Sequence, residues 1–102
     1  LRVILQDGQS IVEAAHLVPF RISSDNSPDN GMALCRNHHW AMDRKLIAPC
    51  PDGKWHVSIV LDDRIEGQKA LCDLDGRRII LPRDEAYHPN SDSLKWRQKR
   101  LR

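Results

Sequence analysis

Hydrophobic and polar positions along the chain fall into short runs of two different periods. "RVIL" (2–5) and "SIVEAAH" (10–16) are β-prone and flank "QDGQ", in which Asp7-Gly8 is a hairpin turn signal. These runs predict two antiparallel strands, 2–5 and 11–16. Alternation sets Val12, Ala14 and His16 on one face of the second strand and Ile11, Glu13 and Ala15 on the other. Glu13 therefore faces away from His16 and reads as structural. "LVPFRISSDNSPDNG" (17–31), with two prolines, three serines and two Asp-Asn pairs, predicts a loop. A loop of this length in a small domain is more often functional than idle.

From about Leu34 to Arg44 the pattern changes to a helical period that no breaker interrupts. Leu34, His38 and Ala41 share one stripe; Cys35, His39 and Asp43 share another. After "LIAP", "PCPDGK" is a turn and "WHVSIVL" alternates as a strand. "DLDGRRIIL" predicts a further turn and strand, pairing with its predecessor as a small hairpin or sheet. "SDSLKWRQKRL" predicts a basic C-terminal helix with Ser91 or Ser93 as N-cap. The class is α+β. Trp40, Trp55 and Trp96 read as core or partly buried anchors.

At 102 residues the chain suits one small domain spanning 1–102. It begins without Met, so it is expected to be the C-terminal piece of a longer protein. No apolar run approaches the roughly 20 residues of a membrane span, so no membrane partner is expected. Three widely spaced cysteines, Cys35, Cys50 and Cys72, suggest no disulfide framework, and point to a reducing, cytoplasmic setting. The net charge of +2 conceals an asymmetry. Residues 94–102 carry Lys95, Arg97, Lys99, Arg100 and Arg102 with no acid, leaving 11 basic against 14 acidic residues elsewhere. Such a run is either a solvated helix face or a phosphate-contacting surface. Arg44 and Lys45 admit the same two readings, because helix C-termini favour cations in any case.

The chemistry concentrates in "CRNHHWAMDRK" (35–45). His39 and Asp43 are one helical turn apart, within reach of a single ion. An imidazole and a carboxylate suit magnesium, manganese or zinc, and two protein ligands leave positions open for water or substrate. Two ordinary polar residues on a solvated helix face are the plain alternative. A structural zinc knuckle is another, with Cys35 and His38 or His39 as one half-site, although no second close Cys/His pair follows. Upstream, His16 closes a strand at the lip of the loop and Asn30 closes the loop before the helix. A neutral histidine can take a proton from water, an Asn carbonyl can hold such a ring in one orientation, and a metal can polarise phosphate.

"EAAHLVPF" and "DNGMALCRNHHWAMDRKLI" together resemble the HNH endonucleases, in the branch carrying "AAH", "NG-LC" and "HH-FD" signatures. A weaker likeness extends through "RRIILPRDEAYHPNSDSLKW". The resemblance implies a ββα-metal core, to which the pattern above adds a small hairpin or sheet and a C-terminal helix. It also implies one catalytic divalent ion, a DNA substrate, expected to be double-stranded, and a phosphodiester hydrolase activity. His16 matches the general base and Asn30 the Asn that orients it. His39 matches the metal-binding last His, and Asp43 sits where some relatives place a further ligand. Ala15 departs from relatives with an Asp or His ligand at that position, and Met42 replaces a frequent Phe. Cys35 lacks the partners of a zinc-binding pair and is expected to pack as a small thiol; His38 is either a core histidine or an alternative ligand. Lys95, Arg97, Lys99 and Arg100 join Arg44 and Lys45 as candidate phosphate contacts. So small a core leaves base readout to a separate recognition domain or subunit. The rival readings are a non-catalytic nucleic-acid-binding module and a zinc-stabilised structural domain on the same fold.

Overall fold

The computed structural model describes residues 3–4, 10–11 and 13–102. β1 (Val3–Ile4) pairs antiparallel with β2 (Ser10–Ile11). The Asp7-Gly8 turn and Val12 lie outside the described residues. β3 (Glu13–His16) is a separate strand, and its partner is not β1. It pairs with β4 (Gly31–Leu34), with Glu13 opposite Leu34 and His16 opposite Gly31. The central hairpin therefore closes across the whole 17–30 segment and brings His16 beside the end of the loop.

That segment is more ordered than a plain loop. It holds a four-residue helix, α1 (Phe20–Ser23), and a 3₁₀ turn at Pro28–Asn30. Pro28 suits the first position of such a turn, where its missing N–H has no partner to lose. β4 takes up Leu34, which the helical pattern had claimed. α2 begins only at Arg36 and ends at Asp43, with Cys35 as N-cap. Its His38, Ala41 and Met42 are buried, while the His39–Asp43 stripe stays partly open. α2 stops in a Schellman arrangement: the Leu46 N–H donates to the Ala41 carbonyl at 2.9 Å and the Lys45 N–H to that of Met42 at 3.0 Å. Lys45 takes the left-handed conformation, φ 64°, that this ending requires and that glycine ordinarily supplies.

β5 (Ile47–Pro49), wholly buried, pairs with β6 (Trp55–Val57) across the turn at Gly53, whose φ of 80° favours glycine. "LIAP" is thus a strand, not merely the approach to a turn. The strand expected in "DLDGRRIIL" shrinks to a Lys54–Arg78 bridge, with Ile79 turned inward and Ile80 left 85% exposed. α3 (Glu66–Cys72) was not anticipated; it buries no residue fully and touches the core through half-buried Leu71, too little to make an apolar stripe. α4 (Ser91–Arg100) forms as expected, but its N-cap is Asn90, whose side-chain Oδ1 accepts from the Ser93 N–H at 2.7 Å. α4 lies against β5, and its Leu94 joins a core with Ala15, Leu17, Leu34, Met42, Ile47 and Trp55. Full burial of a side chain such as Leu17 stabilises by about 1.5–3 kcal/mol.

Candidate active site

His16, His39 and Asp43 arrive from three places, the end of β3 and two successive turns of α2, and line one cleft of about 580 Å³. Arg21, Lys45, Trp96 and Arg100 also line it, together with Phe20 and Ile22 from α1. His16 is partly exposed, with its Nε2 2.8 Å from Asn26 Oδ1 and its ring centroid 5.9 Å from that of Phe20. A ring that donates from Nε2 to Asn26 keeps the Nδ1 lone pair free to accept a proton.

Asn30 does not touch the His16 ring. It is 1% exposed and closes the loop on itself. Its Oδ1 accepts from the Val18 N–H at 2.9 Å and the Ser93 hydroxyl at 3.0 Å, while its Nδ2 donates to the carbonyls of Val18 (3.0 Å) and Asp25 (2.9 Å). Its own carbonyl accepts from the Leu17 N–H at 2.9 Å. Asn30 thus holds the backbone just after His16 and pins it to α4. The ring partner is Asn26, which the sequence left among the loop residues. Nothing in the spelling of the two Asp-Asn pairs distinguishes one from the other.

His39 Nε2 lies 3.4 Å from Asp43 Oδ2. Two ligands each about 2.0–2.1 Å from one ion, at a near-tetrahedral angle, are about 3.4 Å apart. The pair therefore fits a shared divalent ion, and Asp43 is exposed enough to leave the remaining positions open. Among the described residues no three His, Cys, Asp or Glu side chains converge on a point, so the closed zinc site considered for Cys35 finds no ligand set there. Cys35 is half-buried rather than fully packed.

His38 points the other way. It is 5% exposed, its ring lies 6.3 Å from that of Trp55, and its buried Nδ1 has no partner among the described residues. Burial lowers its pKa from the ordinary imidazole value, which keeps the ring neutral in the core. It is placed as a core histidine and not on the cleft.

The basic tail divides. Lys95, Lys99 and Arg100 are exposed, as are Arg44 and Lys45 near α2. Arg100 stacks on Trp96 with its guanidinium carbon 3.8 Å from the ring centroid. Arg97, grouped with these cations on sequence, is only 4% exposed. It donates to the carbonyls of Leu17, Met42 (3.0 Å) and His16 (3.1 Å), and its Nη2 lies 3.8 Å from Asp43 Oδ1. Desolvation lowers its pKa, with Asp43 opposing that shift. The guanidinium serves as a nearly buried brace at the wall of the cleft. Glu13, read as structural, contacts the site: its Oε1 is 3.3 Å from His39 Nδ1.

The family model for HNH endonuclease matches residues 2–48, the stretch that carries His16, Asn30, His39 and Asp43. No curated protein matches the chain. Among solved structures the chain is similar to a modification-dependent TagI restriction endonuclease, at 17% identity with a TM-score of 0.69. That likeness covers 99% of this chain and 31% of the other, so the chain spans about a third of the length of its structural neighbour. Residues 2–48 thus match the HNH endonuclease family model, and the whole chain shares its fold with about a third of a restriction endonuclease.

Proposed function

We propose that this chain is a metal-dependent nuclease domain that hydrolyses DNA phosphodiesters, with His16 as general base and His39 and Asp43 as ligands of one divalent ion. The observation that carries the reading is the meeting of these three side chains in one cleft with basic residues at its rim. A magnesium, manganese or zinc ion held by His39 and Asp43 would supply a Lewis acid for a phosphate oxygen and the leaving 3′ oxygen. The chain's own residues do the rest. His16, donating from Nε2 to Asn26, accepts the proton of the attacking water at Nδ1. Asn30 and Arg97 hold the backbone from His16 to Val18, so the ring is positioned by the fold. Lys45, Arg21 and Arg100 offer sequence-independent grip on the phosphate backbone.

So small a surface supports grip more readily than base readout, and the recognition element belongs to another domain or subunit. The length of the structural neighbour accords with this. Three free thiols accord with a reducing, cytoplasmic setting. Among the described residues no helix is long and apolar enough to cross a membrane.

The test is plasmid nicking with added Mg²⁺ or Mn²⁺, alongside calorimetry of ion binding. His16→Ala should abolish nicking with folding and ion binding near wild type. His39→Ala and Asp43→Ala should lose ion binding and nicking together. Nicking within a few-fold of wild type in His16→Ala would exclude it as the base.

A further inference from the structure

The two ring nitrogens of His39 meet two carboxylates on opposite sides. Nε2 faces Asp43 Oδ2 at 3.4 Å and Nδ1 faces Glu13 Oε1 at 3.3 Å. The surroundings of these carboxylates differ. Asp43 lines the cleft with His16, and Glu13 does not. Glu13 shares a face of β3 with buried Ala15, and its backbone pairs with Leu34, which leads into α2. It therefore approaches His39 from behind, from the strand that also carries His16.

A neutral imidazole has one N–H and one lone pair. Asp43 alone would draw the N–H to Nε2, the nitrogen that must carry a lone pair to hold an ion. With the N–H there, the Nδ1 lone pair would also be turned on the Glu13 carboxylate. Glu13 reverses this preference by accepting the Nδ1–H, which leaves Nε2 unprotonated toward Asp43 and the cleft. A hydrogen bond from the far nitrogen to a carboxylate orients a ligating histidine and raises its basicity. We propose that Glu13 is a positioning residue for the metal centre: it fixes the His39 tautomer, and the direction of its ring, that the cleft needs. This rests on the reading of His39 and Asp43 as ligands.

The experiment reads the tautomer in the metal-free protein and the ion affinity separately. Glu13 is partly exposed, with 41% of its side chain open to solvent, so Glu13→Ala is expected to fold. Glu13→Gln keeps a carbonyl oxygen that can accept the same N–H and serves as the rescuing variant. Long-range ¹⁵N–¹H correlation spectra, recorded where the rings are neutral, should show His39 protonated on Nδ1 in wild type and Glu13→Gln. In Glu13→Ala the proton should move to Nε2. Calorimetry with Mn²⁺ or Zn²⁺ should give an affinity about 10–100-fold lower for Glu13→Ala, largely restored in Glu13→Gln. An unchanged His39 tautomer in Glu13→Ala overturns the proposal. So does an unchanged ion affinity in Glu13→Ala when His39→Ala has lost the ion. Ion affinity that survives in His39→Ala overturns the ligand reading beneath it instead.

Discussion

Arg97 Nη2 donates to the backbone carbonyl of His16 at 3.1 Å, across 81 positions of sequence. The same guanidinium reaches the Leu17 and Met42 carbonyls, so one side chain of α4 ties the end of β3 to the end of α2.

Arg97→Met should therefore act as a stability variant. It removes the donor from the Leu17 and His16 carbonyls, while that of Met42 keeps the Lys45 N–H; each unsatisfied group costs about 1–3 kcal/mol, so a loss of about 2 kcal/mol or more is expected in urea unfolding. Its side chain is buried, so it should act on stability before it acts on the salt dependence of DNA binding. Lys99→Glu with Arg100→Glu should do the opposite. Those side chains are exposed, and the folded double variant should flatten the log–log salt slope by roughly two, at about 0.9 per lost phosphate contact. A double variant that is folded and keeps the wild-type slope would remove the tail from the DNA site.

Asn30 and Asn26 should separate in a paired comparison. Asn30→Ala breaks four side-chain hydrogen bonds in a buried setting and should lower stability by about 2–4 kcal/mol, taking cleavage with it. Asn26→Ala, at an exposed position, should stay within about 0.5 kcal/mol of wild type. Its nicking rate should still fall about tenfold or more, through a less ordered His16 ring. Equal rates in wild type and Asn26→Ala would show that the 2.8 Å contact does not orient the base.

Lys45 holds a left-handed backbone at the end of α2. For a residue with Cβ that conformation costs about 1–2 kcal/mol, partly offset on replacement by the freedom glycine has when unfolded. Lys45→Gly should thus stabilise by about 0.5–1 kcal/mol in thermal or urea unfolding. It should also weaken DNA binding and lower the salt slope by about 0.9 if the cleft-lining ammonium contacts phosphate. A more stable but weaker-binding variant is the expected result, and tighter binding would contradict it.

Cys50 is fully buried, its Sγ donates to the Ala48 carbonyl at 3.5 Å, and burial pushes its thiol up to about 11. At pH 8 only about one part in a thousand is thiolate, the form that reacts. In the folded chain Cys35 should therefore be alkylated well before Cys50, which should become reactive only on unfolding. Mass spectrometry of timed iodoacetamide reactions checks the order.

The parts of the site written in local spacing were legible in the sequence. His39 and Asp43 meet because they are four apart on a helix, and His16 sits at a strand end because its neighbours alternate. The parts that depend on distant pairing were not. Pairing β3 with β4 rather than with β1 decides that Glu13 reaches His39, 26 positions away. The Asn30 side chain looked like a ring partner because nothing local reveals that Ser93 and Val18 already occupy it. Arg97 did carry a signal. It falls at i+3 from buried Leu94 and four before half-buried Leu101, on the helix's inward stripe, whereas Lys95 and Lys99 fall off it. α3 carried little, since it packs against the core through half-buried Leu71 alone and contains Gly67.

The seating of α4 on the His16 end of β3 has a consequence for biosynthesis. A ribosome releases the chain from its N-terminus, so His16, the Asn30 loop and the His39–Asp43 helix emerge long before residues 91–100. Until α4 follows, the loop lacks Ser93 and the carbonyls after His16 lack their guanidinium. Assembly of the cleft thereby waits until α4 has emerged, and a chain cut before α4 is left with its histidines present but unbraced.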